Sequence, residues 1–218
     1  LFASNKNRTN IAVQWDAIIE WGDIWSFWEG TSEPIDGWYN SNVNINFWDE
    51  GPSGFGYGDN DDNTETSQIM SVFIRKIFQV SDPENISKAL FHIDYDDGYI
   101  AYLNGVEFSR RNMGSVGDEV SYNQNATDLH EAELYQGVFP ESVEINLEEH
   151  SLNIGNNTIA IEVHNFGSNS SDLSCIPFLT LGYKSMQEEV RDPHPLMELP
   201  NMFLHKNFRL NSESEIEK

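Results

Sequence analysis

The chain has 218 residues and carries 36 acidic against 12 basic residues, which gives a formal net charge of −24 at pH 7. A surface this acidic repels phosphate backbones and anionic membranes, so nucleic acid is not an expected partner. No apolar run approaches the roughly 20 residues that cross a bilayer, so direct membrane insertion is not expected either. The single cysteine, Cys175, excludes internal disulfides and lies in an apolar run that predicts a buried thiol.

Residues 1–20 are predicted to be a linker or edge segment, in which residues 11–20 fit a strand and a short helix equally well. Residues 24–29 predict a strand, which leads into a loop containing glycine and proline. Residues 51–63 predict a long loop, because they are rich in glycine, aspartate and asparagine. Residues 71–80 predict a central strand, since both of its faces are partly apolar.

The most regular pattern begins at Ala89, where apolar and polar residues alternate as far as Tyr95 with the period of two that is typical of a strand. Asp97-Gly98 then predicts a turn, because glycine reaches positive φ without a steric clash. A second strand ends at Asn104-Gly105, which is the strongest short signal of a β-hairpin. We therefore expect an antiparallel meander of three strands with an acidic corner at one end.

The second half of the chain first predicts a long loop, residues 112–140, of the kind that is functional or ordered by an ion. Strands are predicted where apolar residues alternate again, at residues 143–147 and 158–164, and a last strand covers residues 175–182. Seven or more short strands separated by turns predict an all-β protein, a jelly-roll β-sandwich.

Four motifs carry a resemblance to a known family: Asp-Asp-Gly followed by Tyr-Leu-Asn-Gly at residues 96–105, and the stretches at residues 51–64, 156–165 and 170–173. In their order along the chain, these motifs resemble the galactose-binding-like jelly-roll modules of secreted bacterial multidomain proteins, the type found beside spore-coat-H-like kinase and lamin-tail domains. The resemblance implies a sandwich over residues 21–183. Residues 184–218 would then be a linker and the start of a following domain, since residues 204–210 are similar to the opening of a lamin-tail-like domain.

Enzymatic motifs are absent from the sequence. It contains no Gly-x-Ser-x-Gly elbow, no phosphate-binding loop with its Lys-Ser/Thr, and no His-Glu-x-x-His pair. The first residues carry no secretory signal pattern, so a secreted protein would be present here as a mature or internal fragment. Catalysis is therefore not predicted for this chain.

Calcium is the predicted cofactor, because hard cations are bound by several carboxylate, amide and carbonyl oxygens on one loop. Asp59, Asp61, Asp62 and Asn63 offer such oxygens, although Thr64 stands where an EF-hand needs glycine. The alternative is a turn whose Asx side chains cap backbone amides.

A second calcium candidate is the acidic corner, Asp96 and Asp97. A similar Asp-Asp-Gly corner in the anthrax-protective-antigen-type sugar-binding modules implies calcium that grips sugar hydroxyls. The alternative is again a turn capped by both carboxylates. Ser170, Ser171 and Asp172 are expected to hydrogen-bond across to this corner.

Sugar binding requires aromatic rings that stack on the CH face of a pyranose, with polar groups that bind its hydroxyls. Rings in loops are the best candidates for exposure, which favours Trp38, Tyr57 and Tyr122. An arginine pair could bind a carboxylate or sulfate of an anionic polysaccharide, or could instead neutralise acidic neighbours. The predicted ligand-binding residues are Trp38, Tyr57, Tyr99, Arg110, Arg111 and Tyr122.

The sequence thus predicts a non-catalytic carbohydrate-binding module of a secreted or cell-surface bacterial protein. Its expected partners are a polysaccharide or glycan and the neighbouring domains of the same polypeptide. Two alternatives remain open: a structural spacer or adhesion module without a sugar ligand, and an accessory domain of a larger enzyme whose catalysis resides elsewhere.

Overall fold

The structure is a computed structural model that describes residues 13–58 and 62–184. Within these residues the chain forms twelve strands and two short 3₁₀-helices, Pro83–Asn85 and Leu134–Gln136. The strands are β1 (Val13–Ile19), β2 (Ile24–Glu29), β3 (Asp49–Pro52), β4 (Phe55–Tyr57), β5 (Thr64–Glu65), β6 (Ser71–Val80), β7 (Ile86–Tyr95), β8 (Gly98–Leu103), β9 (Val106–Arg111), β10 (Glu141–Glu144), β11 (Gly155–His164) and β12 (Leu173–Lys184).

The strands form two sheets, which confirms the predicted all-β sandwich. One sheet, called sheet A, has the order β10-β7-β12-β4-β5, and β1 also pairs with β12. The other, sheet B, has the order β3-β2-β6-β11-β8-β9. The pairs are antiparallel except for the short parallel pair β4-β5. No helix in the described part of the chain is long and apolar enough to span a bilayer.

The β12 strand holds sheet A together. On one side it pairs with β7 along most of its length. On the other side it pairs first with β4 and then with β1. Residues 11–20, which fitted a strand or a helix equally, therefore contain a strand, β1, that joins the sandwich as part of sheet A. Nearly all of the predicted linker, residues 184–218, lies outside the described residues.

The main core lies between the two sheets. The alternation along β7 is confirmed, since the side chains of Ala89, Phe91, Ile93 and Tyr95 are all buried in this core. In β11 the inward-facing residues, Ile159, Ile161 and Val163, are likewise fully buried. Burying one such large apolar side chain contributes about 1.5–3 kcal/mol, so the facing sides of these strands supply much of the stability of the sandwich.

The predicted three-strand meander is wrong in its first half. The β7 strand lies in sheet A and β8 lies in sheet B, so the acidic corner carries the chain from one sheet to the other. The two strands face each other across the core, with the rings of Tyr95 and Tyr99 in edge-to-face contact at 4.6 Å. Alternating polarity shows that a segment is a half-buried strand, but it does not show which strand it pairs with. The same pattern therefore fits a hairpin within one sheet and two strands in different sheets that face each other.

Residue 98 must be glycine because a side chain would clash with its neighbours, and not because its φ is positive. It is not among the glycines with positive φ. An added Cβ would lie 2.9 Å from Met113 Sδ and 3.0 Å from the Cβ of Ala126. The turn at Asn104-Gly105 is as predicted, with φ of 51° and 89°, and it joins β8 to β9 as a hairpin.

A second cluster of aromatic rings covers the outer face of sheet B. Trp38 contacts Trp48, Phe73 and Tyr102 at ring distances between 5.2 and 5.9 Å. The loop that carries Trp38 is fixed to the sheet by Arg75, whose guanidinium donates to the carbonyl oxygens of residues 41 and 43 at 3.0 Å each. This loop therefore forms part of the packed structure.

Candidate functional site

The acidic corner between β7 and β8 is the centre of the candidate site. It is the point where the last residues of β7, the loop at residues 128–134 and the loop at residues 165–172 meet. Three aspartates, Asp94, Asp96 and Asp97, are all buried there. Buried carboxylates are stable only when they are hydrogen-bonded, paired or protonated, so the partners of each define what the corner can do.

Asp97 connects the two loops. One carboxylate oxygen accepts a hydrogen bond from the amide of His130 at 2.9 Å, and the other accepts one from the amide of Phe166 at 2.7 Å. Its carbonyl oxygen accepts a further bond from Asn112 Nδ2 at 2.9 Å. Both carboxylate oxygens therefore have backbone donors, but these amides belong to two distant loops and not to the turn that the capping alternative predicts.

Asp94 and Tyr95 fix the first loop further. The Asp94 carboxylate accepts hydrogen bonds from the amides of Glu133 and Leu134, at 3.2 and 2.7 Å. Burial nevertheless raises the pKa of Asp94, against the lowering effect of these two amides. The ring of His130 stacks on Tyr95 at 4.0 Å with an interplanar angle of 7°, and its Nδ1 donates to the Tyr95 carbonyl oxygen at 2.9 Å.

Asp96 faces two other carboxylates. Oxygen atoms of Asp96, Glu131 and Asp172 all lie within 4.8 Å of one another. Asp96 is 3% exposed, whereas Glu131 is exposed and Asp172 is half-buried. Burial, followed by the charges of Asp97 and Asp172, raises the pKa of Asp96 to about 9. The carboxyl is therefore protonated at neutral pH unless a cation compensates its charge.

The loop at residues 170–172 reaches the corner as expected, but through different contacts. The Ser171 hydroxyl donates to its own neighbour, Asp172 Oδ1, at 3.1 Å, and the Ser170 hydroxyl lies 3.5 Å from the same oxygen. It is the carboxylate of Asp172, and not the serine hydroxyls, that faces Asp96. The serines hold the Asp172 side chain in place.

The second predicted calcium loop is only partly described. Asp59 and Asp61 lie outside the described residues. Asn63 has a structural role, since its Nδ2 donates to the carbonyl of Ser53 at 2.9 Å and its amide donates to the carbonyl of Gly54 at 2.8 Å. A Cβ on Gly56 would lie 1.8 Å from the carbonyl oxygen of Leu173 and 2.4 Å from Asp62 Oδ1. Glycine at residue 56 is thus required mainly by the close approach of the β12 backbone.

Most of the predicted sugar-contacting rings are buried. Trp38 is 5% exposed, Tyr57 is 8% exposed and Tyr99 is fully buried, so the exposure expected for Trp38 and Tyr57 is wrong. Tyr122 is half-buried. Trp38 is buried because its loop closes over sheet B and brings the ring into the second cluster. Tyr57 is buried because it lies in β4 and faces the main core between the sheets, where Tyr99 also lies. As ligand contacts these residues remain predictions, and burial leaves three of them little surface for a sugar.

Both predicted arginines form ion pairs. Arg110 is buried and holds Glu107 in a two-point contact, with nitrogen–oxygen distances of 2.8 and 2.9 Å. Arg111 Nη2 lies 2.5 Å from Glu141 Oε1, and this pair joins β9 of sheet B to β10 of sheet A. Of the two roles considered for these residues, the structure therefore shows the neutralisation of acidic neighbours.

One further buried network involves ionisable groups. Glu162 accepts a hydrogen bond from the Tyr102 hydroxyl at 2.9 Å and lies 3.1 Å from His164 Nε2. Glu162 is 4% exposed and His164 is fully buried beneath the second aromatic cluster. The Cys175 thiol is also fully buried, and burial raises its pKa, which makes it unreactive.

Sequence reasoning missed Glu131, the third carboxylate of the corner. It lies in the long loop at residues 112–140, where many acidic residues alternate with small ones and none has a distinctive spacing. The one feature of the sequence that pointed to this segment is the length of the loop, because a long loop in a compact domain is usually ordered or functional. Long-range contacts of His130, Glu133 and Leu134 with residues 94–97 bring Glu131 to the corner, and such contacts leave no local pattern.

Comparisons with known proteins identify the fold and not a family. No protein-family model matches the chain, and no curated protein matches it by sequence. Among solved structures, a β-glucuronidase of an uncultured Clostridium species is similar at 16% identity with a TM-score of 0.50, and the match covers 88% of this chain and 33% of that one. Similar regions occur in the Bacteroides uniformis β-glucuronidase, at 13% identity and a TM-score of 0.48 over 78% of this chain and 18% of that one. A Ruminococcus gnavus β-glucuronidase matches at 11% identity and a TM-score of 0.47, over 80% of this chain and 29% of that one.

The first of these similarities supports the sandwich fold. This chain spans about a third of the length of that β-glucuronidase and less of the other two. The similar region is therefore one part of a much longer enzyme chain.

Proposed function

We propose that this chain is a non-catalytic, carbohydrate-binding-like module within a longer, secreted or cell-surface bacterial polypeptide. The observation that carries the proposal is that the structural match with a β-glucuronidase covers 88% of this chain but only 33% of that one. A domain of this kind accompanies a glycosidase without being the whole of it. The resemblance to galactose-binding-like modules leads to the same conclusion from residue motifs, independently of the structural similarity.

The non-catalytic part of the proposal is supported by burial. A general acid or base must reach the substrate directly or through one water molecule. Asp96, whose pKa burial raises to about 9, is 3% exposed. Glu162 and His164 lie beneath the aromatic cluster of sheet B. None of these groups has the open access that catalysis requires.

Calcium fits the donor set at the acidic corner. The carboxylates of Asp96, Glu131 and Asp172 would hold the ion, because hard cations bind carboxylate oxygens. The ion would supply charge compensation for three close carboxylates. Glu131 and Asp172 belong to the two loops that Asp97 already connects, so these side chains would join the same loops a second time.

Affinity electrophoresis on immobilised glycans tests the proposed function, with a hydrolysis assay on aryl glycosides run in parallel. We expect retardation by at least one glycan and no hydrolysis. If no glycan retards the chain, carbohydrate binding is contradicted, and hydrolysis by the purified chain would contradict the non-catalytic role.

Thermal melting with calcium and with a chelator tests whether the ion binds. A melting midpoint that is the same in both would remove calcium from the proposal.

A structural spacer is the second candidate function. The observation that favours it is the burial of Trp38, Tyr57 and Tyr99, which leaves these predicted binding rings inside the protein. A spacer would require only a stable sandwich and contacts with the neighbouring domains of its polypeptide. The same electrophoresis distinguishes the two, because a spacer migrates unchanged on all glycans.

A further inference from the structure

Exposed apolar side chains are concentrated next to the acidic corner. Of the twelve large apolar side chains that are exposed in the described part of the chain, four lie within residues 129–139, which we call the corner loop. They are Leu129, Tyr135, Val138 and Phe139, exposed by 64%, 54%, 45% and 54%. Single exposed apolar residues are ordinary, but a local concentration of them marks an interaction surface.

The corner loop is held rigidly although its apolar side chains face solvent. Asp94 binds the amides of Glu133 and Leu134, and His130 stacks on Tyr95. The following turn is closed by hydrogen bonds from the amides of residues 136 and 137 to the carbonyls of residues 133 and 134. Tyr135 and Phe139 therefore extend from a fixed backbone, and a ligand need not order the loop on binding.

Polar groups accompany the exposed rings. Gln136 Nε2 donates to the Tyr135 hydroxyl at 2.7 Å, which fixes an amide beside the ring. Glu131 and Glu133 are exposed in the same loop and supply acceptor oxygens. An aromatic face with hydrogen-bonding groups at its edge is the arrangement that suits a pyranose, whose CH face is apolar and whose rim carries hydroxyls.

The charge of the corner loop limits the ligand. Arg111 pairs with Glu141, two residues beyond the loop, at a nitrogen–oxygen distance of 2.5 Å. The loop contributes carboxylates and no lysine or arginine. An anionic sugar such as a uronate or a sulfated residue would therefore be repelled. A second copy of this chain, with its formal charge of −24, would be repelled in the same way.

We infer that the corner loop is the glycan-contacting surface, with Tyr135 and Phe139 stacking on an uncharged pyranose chain. This inference rests on the proposed carbohydrate-binding function and specifies both its place and its ligand class. It replaces the buried rings of Trp38 and Tyr57 with rings that solvent reaches. It also excludes anionic polysaccharides, since the loop carries carboxylates and both predicted arginines, Arg110 and Arg111, already pair with glutamates.

The experiment compares three variants by affinity electrophoresis and calorimetry. The test variant is the double substitution Tyr135→Ala and Phe139→Ala, and the matched control is Phe47→Ala, which removes a ring that is 57% exposed in another loop. The third variant, Tyr135→Trp, restores a stacking surface. Galactan, xylan and β-glucan are the uncharged probes, chitosan is the amine-bearing probe, and polygalacturonate and heparin are the anionic probes.

We expect the wild-type chain to be retarded by at least one uncharged glycan and not by the anionic ones. The double variant should bind at least ten-fold more weakly with an unchanged melting midpoint, while Phe47→Ala should keep wild-type binding. Tyr135→Trp should bind more tightly than the double variant, because it keeps an aromatic ring at residue 135. Undiminished binding by the double variant would overturn the corner-loop site and leave the proposed function standing. Binding of only anionic glycans would overturn the ligand class. Binding of none would overturn both the site and the proposed function, and would favour a protein partner for this surface.

Discussion

Asp96 is a residue whose ionisation opposes folding. Its pKa is raised to about 9 in the folded state by burial and by the charges of Asp97 and Asp172, whereas an unfolded aspartate titrates near 3.9. The folded chain thus holds a proton that the unfolded chain releases above about pH 4. Stability from this group is fully present below that pH and is lost as pH rises toward about 9.

The loss of stability with rising pH gives a prediction for Asp96→Asn. In chelator the wild-type midpoint should fall between pH 5 and pH 8 by more than the midpoint of the variant, which has no titrating group at this position. Calcium should raise the midpoint of the wild-type chain at pH 8 and leave the variant nearly unchanged, because a ligand carboxylate is gone. Differential scanning fluorimetry checks both statements. Equal pH profiles for the two proteins would contradict the assignment of the raised pKa.

His92 gives the opposite pH dependence. Burial lowers its pKa to about 4, and its Nδ1 has no hydrogen-bond partner. Unfolded histidine titrates near 6.5, so the unfolded chain takes up a proton below that pH and stability is lost as pH falls toward about 4.

Replacing His92 with leucine should remove this loss. We expect the wild-type chain to lose roughly 1–2 kcal/mol more unfolding free energy than His92→Leu between pH 7 and pH 5, from a pKa difference at 1.36 kcal/mol per unit. Urea denaturation at the two pH values measures the difference, and the effect of Asp96 cancels because both proteins contain it. Parallel losses in the two proteins would show that His92 does not titrate in this range.

Among the structural elements, the two loops at the acidic corner are joined to each other by one side chain, Asp97. The Asp97 carboxylate accepts hydrogen bonds from the amides of His130 and Phe166, so removing this carboxylate leaves two amide donors without partners. An unpaired buried donor costs about 1–3 kcal/mol, and more where the lost acceptor was charged.

Asp97→Ala should therefore increase hydrogen exchange in both loops together. We expect the amides of His130 and Phe166 to lose protection by at least ten-fold while amides in β11 change little, as measured by exchange with mass spectrometry or NMR. Asp128→Ala is the control, since that carboxylate caps only the amide of its exposed neighbour, Leu129. Loss of protection in one loop alone would show that the two are not coupled through Asp97.

The strands were largely predictable from sequence, and the connections between them were not. The alternation in β7 and the Asn104-Gly105 hairpin follow from local stereochemistry, and both were found as predicted. The separation of β7 and β8 into different sheets depends on which strand each meets across the fold. Their true partners, β12 and β11, are distant in sequence, so nothing near the corner specifies them.

The candidate site was predictable in part for the same reason. The Asp-Asp pair drew attention to the corner, but Asp97 caps amides at residues 130 and 166, whereas local turn chemistry predicts capping within the turn itself. Glu131 joins the corner through long-range contacts alone. The rings of Trp38 and Tyr57 lie in segments with loop composition, but packing against sheet residues buries them, and composition does not record what covers a loop.

For the molecule as a whole, the core between the sheets determines stability. Ile161 is fully buried in β11, whereas Ile154 is 78% exposed in the turn before this strand. Ile161→Ala should cost about 2–5 kcal/mol, since a buried isoleucine leaves a cavity. At about 2–4 °C per kcal/mol for a domain of this size, the midpoint should fall by roughly 4–20 °C. Ile154→Ala should change stability by less than about 0.5 kcal/mol, and equal effects in calorimetry would contradict the position of the core.

The place of β12 in sheet A has a consequence for how the protein is made. It is the last strand of the described chain, yet β1, β4 and β7 all pair with it. During translation these three strands emerge from the ribosome before their shared partner has been synthesised. Until then, the edge of β7 that pairs with β12 has unpaired backbone groups next to apolar side chains. Such edges invite association with other nascent chains. We expect sheet A to form only after Lys184 has left the exit tunnel, so this sheet assembles once its last strand is available rather than strand by strand.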